Sequence, residues 1–248
     1  MYLEGKIGIV TGAARGIGEA TVRKMCREGA RVAAVDIDAD ELQRAVESIK
    51  AEGGEAAAFQ CDVSRPAAVE QLVRDVVAHF GRLDCLVNNA GICPRISIED
   101  MTEEMFDRLM DINVKSVFFL SRAAAEAMKP NRWGRIVNLS STGGRIGGVF
   151  NATVYGGTKA AILAMTKSFA RHYAPYNILV NAVAPGAVDT RMMHAMGDEM
   201  LQGVINSAPL KRLADPAEIA NVIAYLCSDE TSWMTGSTVD VNGGTLML

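Results

Sequence analysis

Tyr155 and Lys159 stand four residues apart in an alanine-rich stretch. On a helix that interval stacks two side chains on one face. A phenol held beside an ammonium is a candidate acid/base. The free phenol titrates near pH ~10, and bringing it down by about three units takes about 4 kcal/mol of preferential stabilisation of the phenolate. One close cation in a partly dry site supplies much of that. Fourteen residues ahead of the tyrosine, the apolar run 135–139 ends in Ser140-Ser141. A serine hydroxyl there can donate to a substrate oxygen and hold it near the phenol.

A second constellation lies near the start, in Thr11-Gly12-Ala13-Ala14-Arg15-Gly16-Ile17-Gly18. Gly12 permits a tight turn, Gly16 lets the backbone approach a phosphate, and Gly18 allows a helix to pack closely on a strand. A helix beginning here offers free N–H groups to an anion. The spacing is not GxGxxG and no GK[ST] follows, which excludes a P-loop. Asp36 lies eighteen residues past the last glycine. A carboxylate there accepts from both hydroxyls of an adenosine ribose and repels a 2′-phosphate, which argues for NAD over NADP. Arg15 pulls the other way, because a guanidinium can pair with a 2′-phosphate. Asp36 carries more weight, since its repulsion acts at short range. The positive ring of an oxidised nicotinamide would further stabilise a Tyr155 phenolate.

These residues need a scaffold that brings distant segments to one edge. Short apolar runs at 6–11, 31–36, 56–60, 85–88, 135–140, 178–184 and 238–241 read as strands. Amphipathic stretches at 16–28, 38–50, 65–80, 102–128, 153–174 and 215–227 read as helices between them. Such alternation implies parallel strands with crossover helices, an open sheet covered on both faces, and ligands at the carboxyl ends of the strands. No linker, repeat or low-complexity tract divides the chain, so residues 1–248 are expected to form one domain, with the Met-rich stretch 186–214 as its lid.

With those motifs in order, the chain resembles the short-chain dehydrogenases/reductases. The matching elements are TGAARGIG at 11–18, Asp36, Cys61-Asp62-Val63, Asn88-Asn89-Ala90-Gly91, Asn113, Ser140-Ser141, Tyr155-Gly156-Gly157-Thr158-Lys159 and Pro185-Gly186-Ala187-Val188-Asp189-Thr190. The resemblance implies a Rossmann-like doubly wound α/β domain of about seven parallel strands. It implies hydride transfer between a nicotinamide dinucleotide and a CH–OH carbon. Tyr155 would exchange the proton, Ser141 would orient and polarise the reacting oxygen, and Lys159 would bind the nicotinamide ribose and tune the tyrosine. Asn113 would hold a water linking Lys159 to solvent. Gly12, Arg15, Gly16, Ile17 and Gly18 would cradle the dinucleotide. Asp62 and Val63 would contact the adenine, and Asn89, Ala90 and Gly91 would shape the cleft. Pro185 and Gly186 would belong to the cofactor-binding set, Val188 would meet the carboxamide through its backbone, and Thr190 would help close over the cofactor.

Two departures from the family pattern stand out. Relatives often place thirteen residues between serine and tyrosine, which would select Thr142; Ser141 is preferred because it follows IVNLSS and the glycine-rich loop 143–148 accommodates one more residue. Two glycines follow the tyrosine at a helix start, where each costs about 1 kcal/mol against alanine, so they are expected to permit a close approach. The family's substrate loops map to 92–97, 142–151 and 187–210. There Cys93, Arg95, Arg145, Asn151, Met192 and Met193 are substrate candidates, the arginines for an anionic group.

Composition narrows the rest. A formal charge of -4 offers no broad basic surface to nucleic acid, and no apolar run is long enough to span a membrane. Five cysteines without a CxxC spacing fit free thiols in the cytoplasm, and no His/Cys/carboxylate cluster suggests a metal. The segment 159–170 is apolar on more faces than one sheet covers, and the tail 241–248 is apolar too, which points to a homodimer or homotetramer. The leading expectation is an NAD-dependent dehydrogenase of secondary alcohols. The runner-up is an NADPH-dependent 3-oxoacyl-carrier-protein reductase, with Arg15 for the phosphate and Lys129 and Arg132 as a docking patch. A dinucleotide-binding sensor without chemistry is the third.

Overall fold

Seven strands pair in parallel throughout, in the order β3-β2-β1-β4-β5-β6-β7, in a computed structural model that describes residues 1–247. They are β1 (Ile7–Thr11), β2 (Arg31–Asp36), β3 (Glu55–Gln60), β4 (Cys85–Asn88), β5 (Gly134–Leu139), β6 (Ile178–Pro185) and β7 (Thr238–Val241). Between them run α1 (Gly16–Arg27), α2 (Ala39–Ala51), α3 (Pro66–Phe80), α4 (Glu103–Met110), α5 (Ser116–Met128), α6 (Gly143–Ile146), α7 (Thr153–Tyr173), α8 (Arg191–His194), α9 (Asp198–Ser207) and α10 (Pro216–Leu226). The expected strands and helices are present within one or two residues at most ends.

Strand alternation divides the core into two apolar layers. Val10, Val32 and Val137 face one side, where they pack with Val22 of α1, Val46 of α2 and Ile223 of α10. Ile9, Ala33 and Ile136 face the other, with Leu72 of α3, Leu120 of α5 and Phe169 of α7. Each fully buried aliphatic side chain of this kind contributes about 1.5–3 kcal/mol. All residues of β1, β4, β5 and β6 are buried, as expected for strands covered on both faces. Chain order reverses between β1 and β4, which are neighbours in the sheet although the paired residues Gly8 and Cys85 are 77 positions apart in the sequence. That reversal opens a crevice at the carboxyl edge.

The sequence pattern misses two local features. The single helix expected over 102–128 is interrupted by a π-helical turn at Asp111–Lys115, between α4 and α5. The segment 186–214, expected as a lid, holds α8 and α9, and both of its feet are tied down: Val188 bridges Ala214, with Asp189 N donating to Ala214 O and Ala214 N donating to Ala187 O, both at 2.9 Å.

Candidate active site

The turn after β1 is built by its own neighbours. Gly12 and Gly16 have φ of +65° and +59°, the left-handed region open to glycine. A Cβ on Gly18 would lie 1.9 Å from the Gly12 carbonyl oxygen, so α1 reaches the turn only because that atom is missing. Asn89 holds the turn from β4's side, its Nδ2 donating to Thr11 O at 2.8 Å and Gly12 O at 3.1 Å. Thr11 Oγ1 accepts from the backbone N–H groups of Asn89 and Ala90. No side chain caps the start of α1, so its first N–H groups stay available to an anion. Asp36, at the end of β2, accepts from Ala14 N and Asp38 N at 3.1 Å each and lines the same cavity. Arg15 is drawn to Asp38 at 2.9 Å and also pairs with Glu41, so its charge is largely answered within the protein.

That cavity has a volume of about 1330 Å³ and runs from Asp36 and Asp62 past the glycine turn to Ser141 and Tyr155. It exceeds the ~300–1,000 Å³ of a pocket for one drug-sized molecule. Ile17, Val63, Asn89 to Gly91, Pro185, Gly186, Val188 and Thr190 all line it, as do Cys93, Arg95, Met192 and Met193. Gly18 acts behind this wall, through packing. Arg145 and Asn151, named from the sequence as substrate contacts, do not line the cavity. Arg145 is held by Asp240 of β7, at 2.8 and 3.2 Å through two nitrogens, and Asn151 is exposed.

The catalytic face is set by β5 and α7. Ser140 Oγ donates to Lys159 O at 2.8 Å, fixing α7 against the strand end. Ser141, one residue on, lines the same cavity as Tyr155; its Oγ accepts from Gly143 N at 3.1 Å, and its hydroxyl acts on the phenol in the direction of the phenolate. Deeper, Asn88 Nδ2 donates to Asn138 Oδ1 and Asn138 Nδ2 donates to Thr166 Oγ1, a buried polar ladder tying β4, β5 and α7 together. A Cβ on Gly156 would fall 2.3 Å from Gly148 N, so this glycine allows the close approach expected of it; Gly157 meets nothing within 4 Å.

Lys159 is 4% exposed, and its Nζ donates to Leu139 O at 2.7 Å and lies 5.6 Å from the centre of the Tyr155 ring. Burial pulls the ammonium down to about 8. Tyr155 moves opposite to the direction the sequence suggested: burial pushes its phenol up, Cys93 adds to this, and Ser141 and Arg95 only partly offset it. The ring is only half-buried by exposed area, but its acidic end sits among protein atoms, and desolvation there outweighs the attraction of neighbouring cations.

Asn113 lies in the π-turn, fully buried. Its Oδ1 accepts from Ile92 N and its Nδ2 donates to Ile92 O, both at 2.9 Å, and also donates to Thr158 Oγ1 at 3.2 Å. Its amide is thus occupied by protein groups, and it positions the 91–93 segment and α7. Among the described residues no cluster of His, Cys, Asp or Glu could hold a metal, and no helix is long and apolar enough to cross a membrane.

Comparison with known proteins agrees with this arrangement. Residues 12–245 match a family model described as enoyl-(acyl carrier protein) reductase. The chain is 43% identical over 250 residues to an uncharacterized oxidoreductase of Thermotoga maritima, covering 98% of both chains. It is 38% identical over 248 residues to the 3-oxoacyl-[acyl-carrier-protein] reductase FabG of Escherichia coli, covering 100% of both. The crystal structure of gox2181 superposes with a TM-score of 0.93 at 34% identity over 99% of each chain. The chain therefore belongs to the short-chain dehydrogenases/reductases, NAD(P)-dependent oxidoreductases acting on CH–OH groups.

Proposed function

We propose that the protein interconverts a secondary alcohol and its ketone with NAD, and that Tyr155 is the acid/base. One observation carries this reading: Tyr155 and Ser141 share a single cavity with the glycine turn and Asp36, with Lys159 buried behind the tyrosine. The residues fit a dinucleotide. The turn closes so tightly that Gly18 admits no Cβ; the uncapped N–H groups of α1 would hold a pyrophosphate, and Asp36 would hold a ribose. Bound there, a nicotinamide dinucleotide supplies or accepts the hydride. Ser141 Oγ orients and polarises the substrate oxygen. Tyr155 donates its proton to that oxygen in reduction, and burial favours the protonated form this step needs. In oxidation the phenol must lose its proton first, and Lys159 supplies the stabilising charge below about pH 8. Asp36 supports NAD, since its carboxylate would meet a 2′-phosphate while Arg15 is engaged by Asp38 and Glu41.

Tyr155→Phe should bind NADH with unchanged affinity in calorimetry and lose turnover by about 10²–10⁴-fold. Full turnover in this variant would remove Tyr155 from the chemistry, and a strong wild-type preference for NADPH would overturn the cofactor assignment. The names of several relatives favour a second reading, reduction of a 3-oxoacyl thioester on a carrier protein. The basic patch that reading invoked is weak: Lys129 pairs with Glu126 and Arg132 donates to Pro175 O. Rates with an acetoacetyl-carrier-protein thioester and NADPH separate the two. We also infer that copies of the chain associate, because Trp233 is 99% exposed and Phe118 of α5 is 41% exposed beside Phe169 of α7.

A further inference from the structure

Two consecutive non-glycine residues take left-handed backbone just before α7, Phe150 at φ +54° and Asn151 at φ +58°. Such residues are costly and persist where surrounding contacts hold them. Here both carbonyls are used by one neighbouring loop. Phe150 O accepts from Arg95 Nη1 at 3.0 Å, and Asn151 O accepts from Ile96 N at 2.9 Å. The corner therefore fixes Arg95 in a defined place, half-buried in the wall of the cavity that holds Ser141 and Tyr155.

Among the described residues only one acceptor meets the five N–H donors of this guanidinium, and no carboxylate pairs with it. Apart from Arg108 and the buried Lys159, the other basic side chains that line the cavity are engaged by carboxylates. Arg15 and Arg191 both pair with Glu41, and His194 Nε2 lies 2.6 Å from Asp189. Arg145 is committed to Asp240. Arg95 also acts electrostatically on the reacting end of the site, favouring the anionic forms of Tyr155 and Cys93. A half-desolvated, unpaired, positioned fork of donors near the proton-transfer group matches a planar or tetrahedral oxyanion.

We propose that Arg95 sets substrate specificity by binding an anionic group (carboxylate, sulfonate or phosphate) on a small hydroxy or oxo substrate whose reacting carbon meets Ser141 and Tyr155. This rests on the proposed dehydrogenase function and names its substrate class. Cys93 and the lid methionines Met192 and Met193 form wall around the aliphatic part of such a molecule. Arg108 of α4 lines the same cavity without a carboxylate partner among the described residues, so the local field favours an anion on approach.

The test is kcat/KM with NAD for 3-hydroxybutyrate, 2-hydroxypropane-1-sulfonate and glycerol 1-phosphate, against the neutral pentan-2-ol and, in reverse with NADH, an acetoacetyl thioester. Wild type should prefer at least one anion to pentan-2-ol by tenfold or more, and the preferred anion identifies the headgroup. Arg95→Gln keeps an N–H for Phe150 O and should lower the anion-to-neutral ratio of kcat/KM by about 10- to 100-fold, mainly through KM. Arg95→Lys should recover part of the loss. Preference for pentan-2-ol or the thioester, or equal loss on neutral and anionic probes, overturns the inference and leaves the Tyr155 chemistry standing. No turnover with any probe in either direction overturns both.

Discussion

Replacing Lys159 by methionine should destroy activity and yet relieve a cost that the fold carries. The ammonium is buried, and its titration falls from 10.5 to about 8. A base whose folded pKa is depressed destabilises the fold fully below the folded value, and the penalty fades as pH rises toward the unfolded value. That depression corresponds to about 3 kcal/mol at neutral pH. Linkage puts the penalty at about 3 kcal/mol at pH ~6.5 and about 1 kcal/mol at pH ~10. Methionine loses the hydrogen bond to Leu139 O, worth about 1–2 kcal/mol, so the net gain at pH ~6.5 is about 1–2 kcal/mol. The hydrogen-bond loss shifts the variant's curve uniformly, whereas titration changes its pH dependence. Denaturant unfolding of Lys159→Met and wild type across that range, without cofactor, isolates the second effect. Wild type should gain on the variant by about 2 kcal/mol from the acid to the alkaline end. Two parallel curves would refute the claim that Lys159 is held as a desolvated amine.

Gly18→Ala should lower the melting temperature by about 2–12 °C in calorimetry, from about 1–3 kcal/mol of overpacking against the Gly12 carbonyl, and weaken dinucleotide binding. A variant with unchanged melting and binding would show that the turn does not need the close approach. Ser141→Ala should reduce kcat by about 10- to 1,000-fold, while Thr142→Ala stays within a few-fold; the reverse ranking would move the polarising hydroxyl to Thr142. Trp233→Glu should reduce the mass seen by light scattering relative to wild type, and a wild-type monomer would reject self-association at that surface.

Much of the scaffold was legible because it depends on local pattern. Alternating apolar runs between amphipathic stretches located the strands and helices, and the glycine spacing located the phosphate turn. Ser141 was chosen over Thr142 from the end of the IVNLSS run; in the structure all three of Ser140, Ser141 and Thr142 line the cavity, and only Ser140 is committed to α7 through Lys159 O. Interactions between distant segments were not legible. The π-turn around Asn113 follows from an amide pulled toward Ile92 and Thr158, and helical periodicity does not register it. Arg145 looked free in its loop, but its carboxylate partner lies 95 positions away on β7. The sign of the Tyr155 shift also depended on burial, which spacing does not encode. Arg95 and Arg145 were indistinguishable as loop arginines, and only their partners separate them.

The bridge between Val188 and Ala214 closes the lid segment off like a parenthesis. Its two feet meet, so the sheet registers the same boundary whatever lies between them. Insertions, deletions and exchanges between 190 and 213 can alter the roof over the substrate while β6 and α10 keep their places. A lineage carrying this fold can therefore acquire new substrates by editing one enclosed stretch, without renegotiating the strands that hold the proton-transfer group.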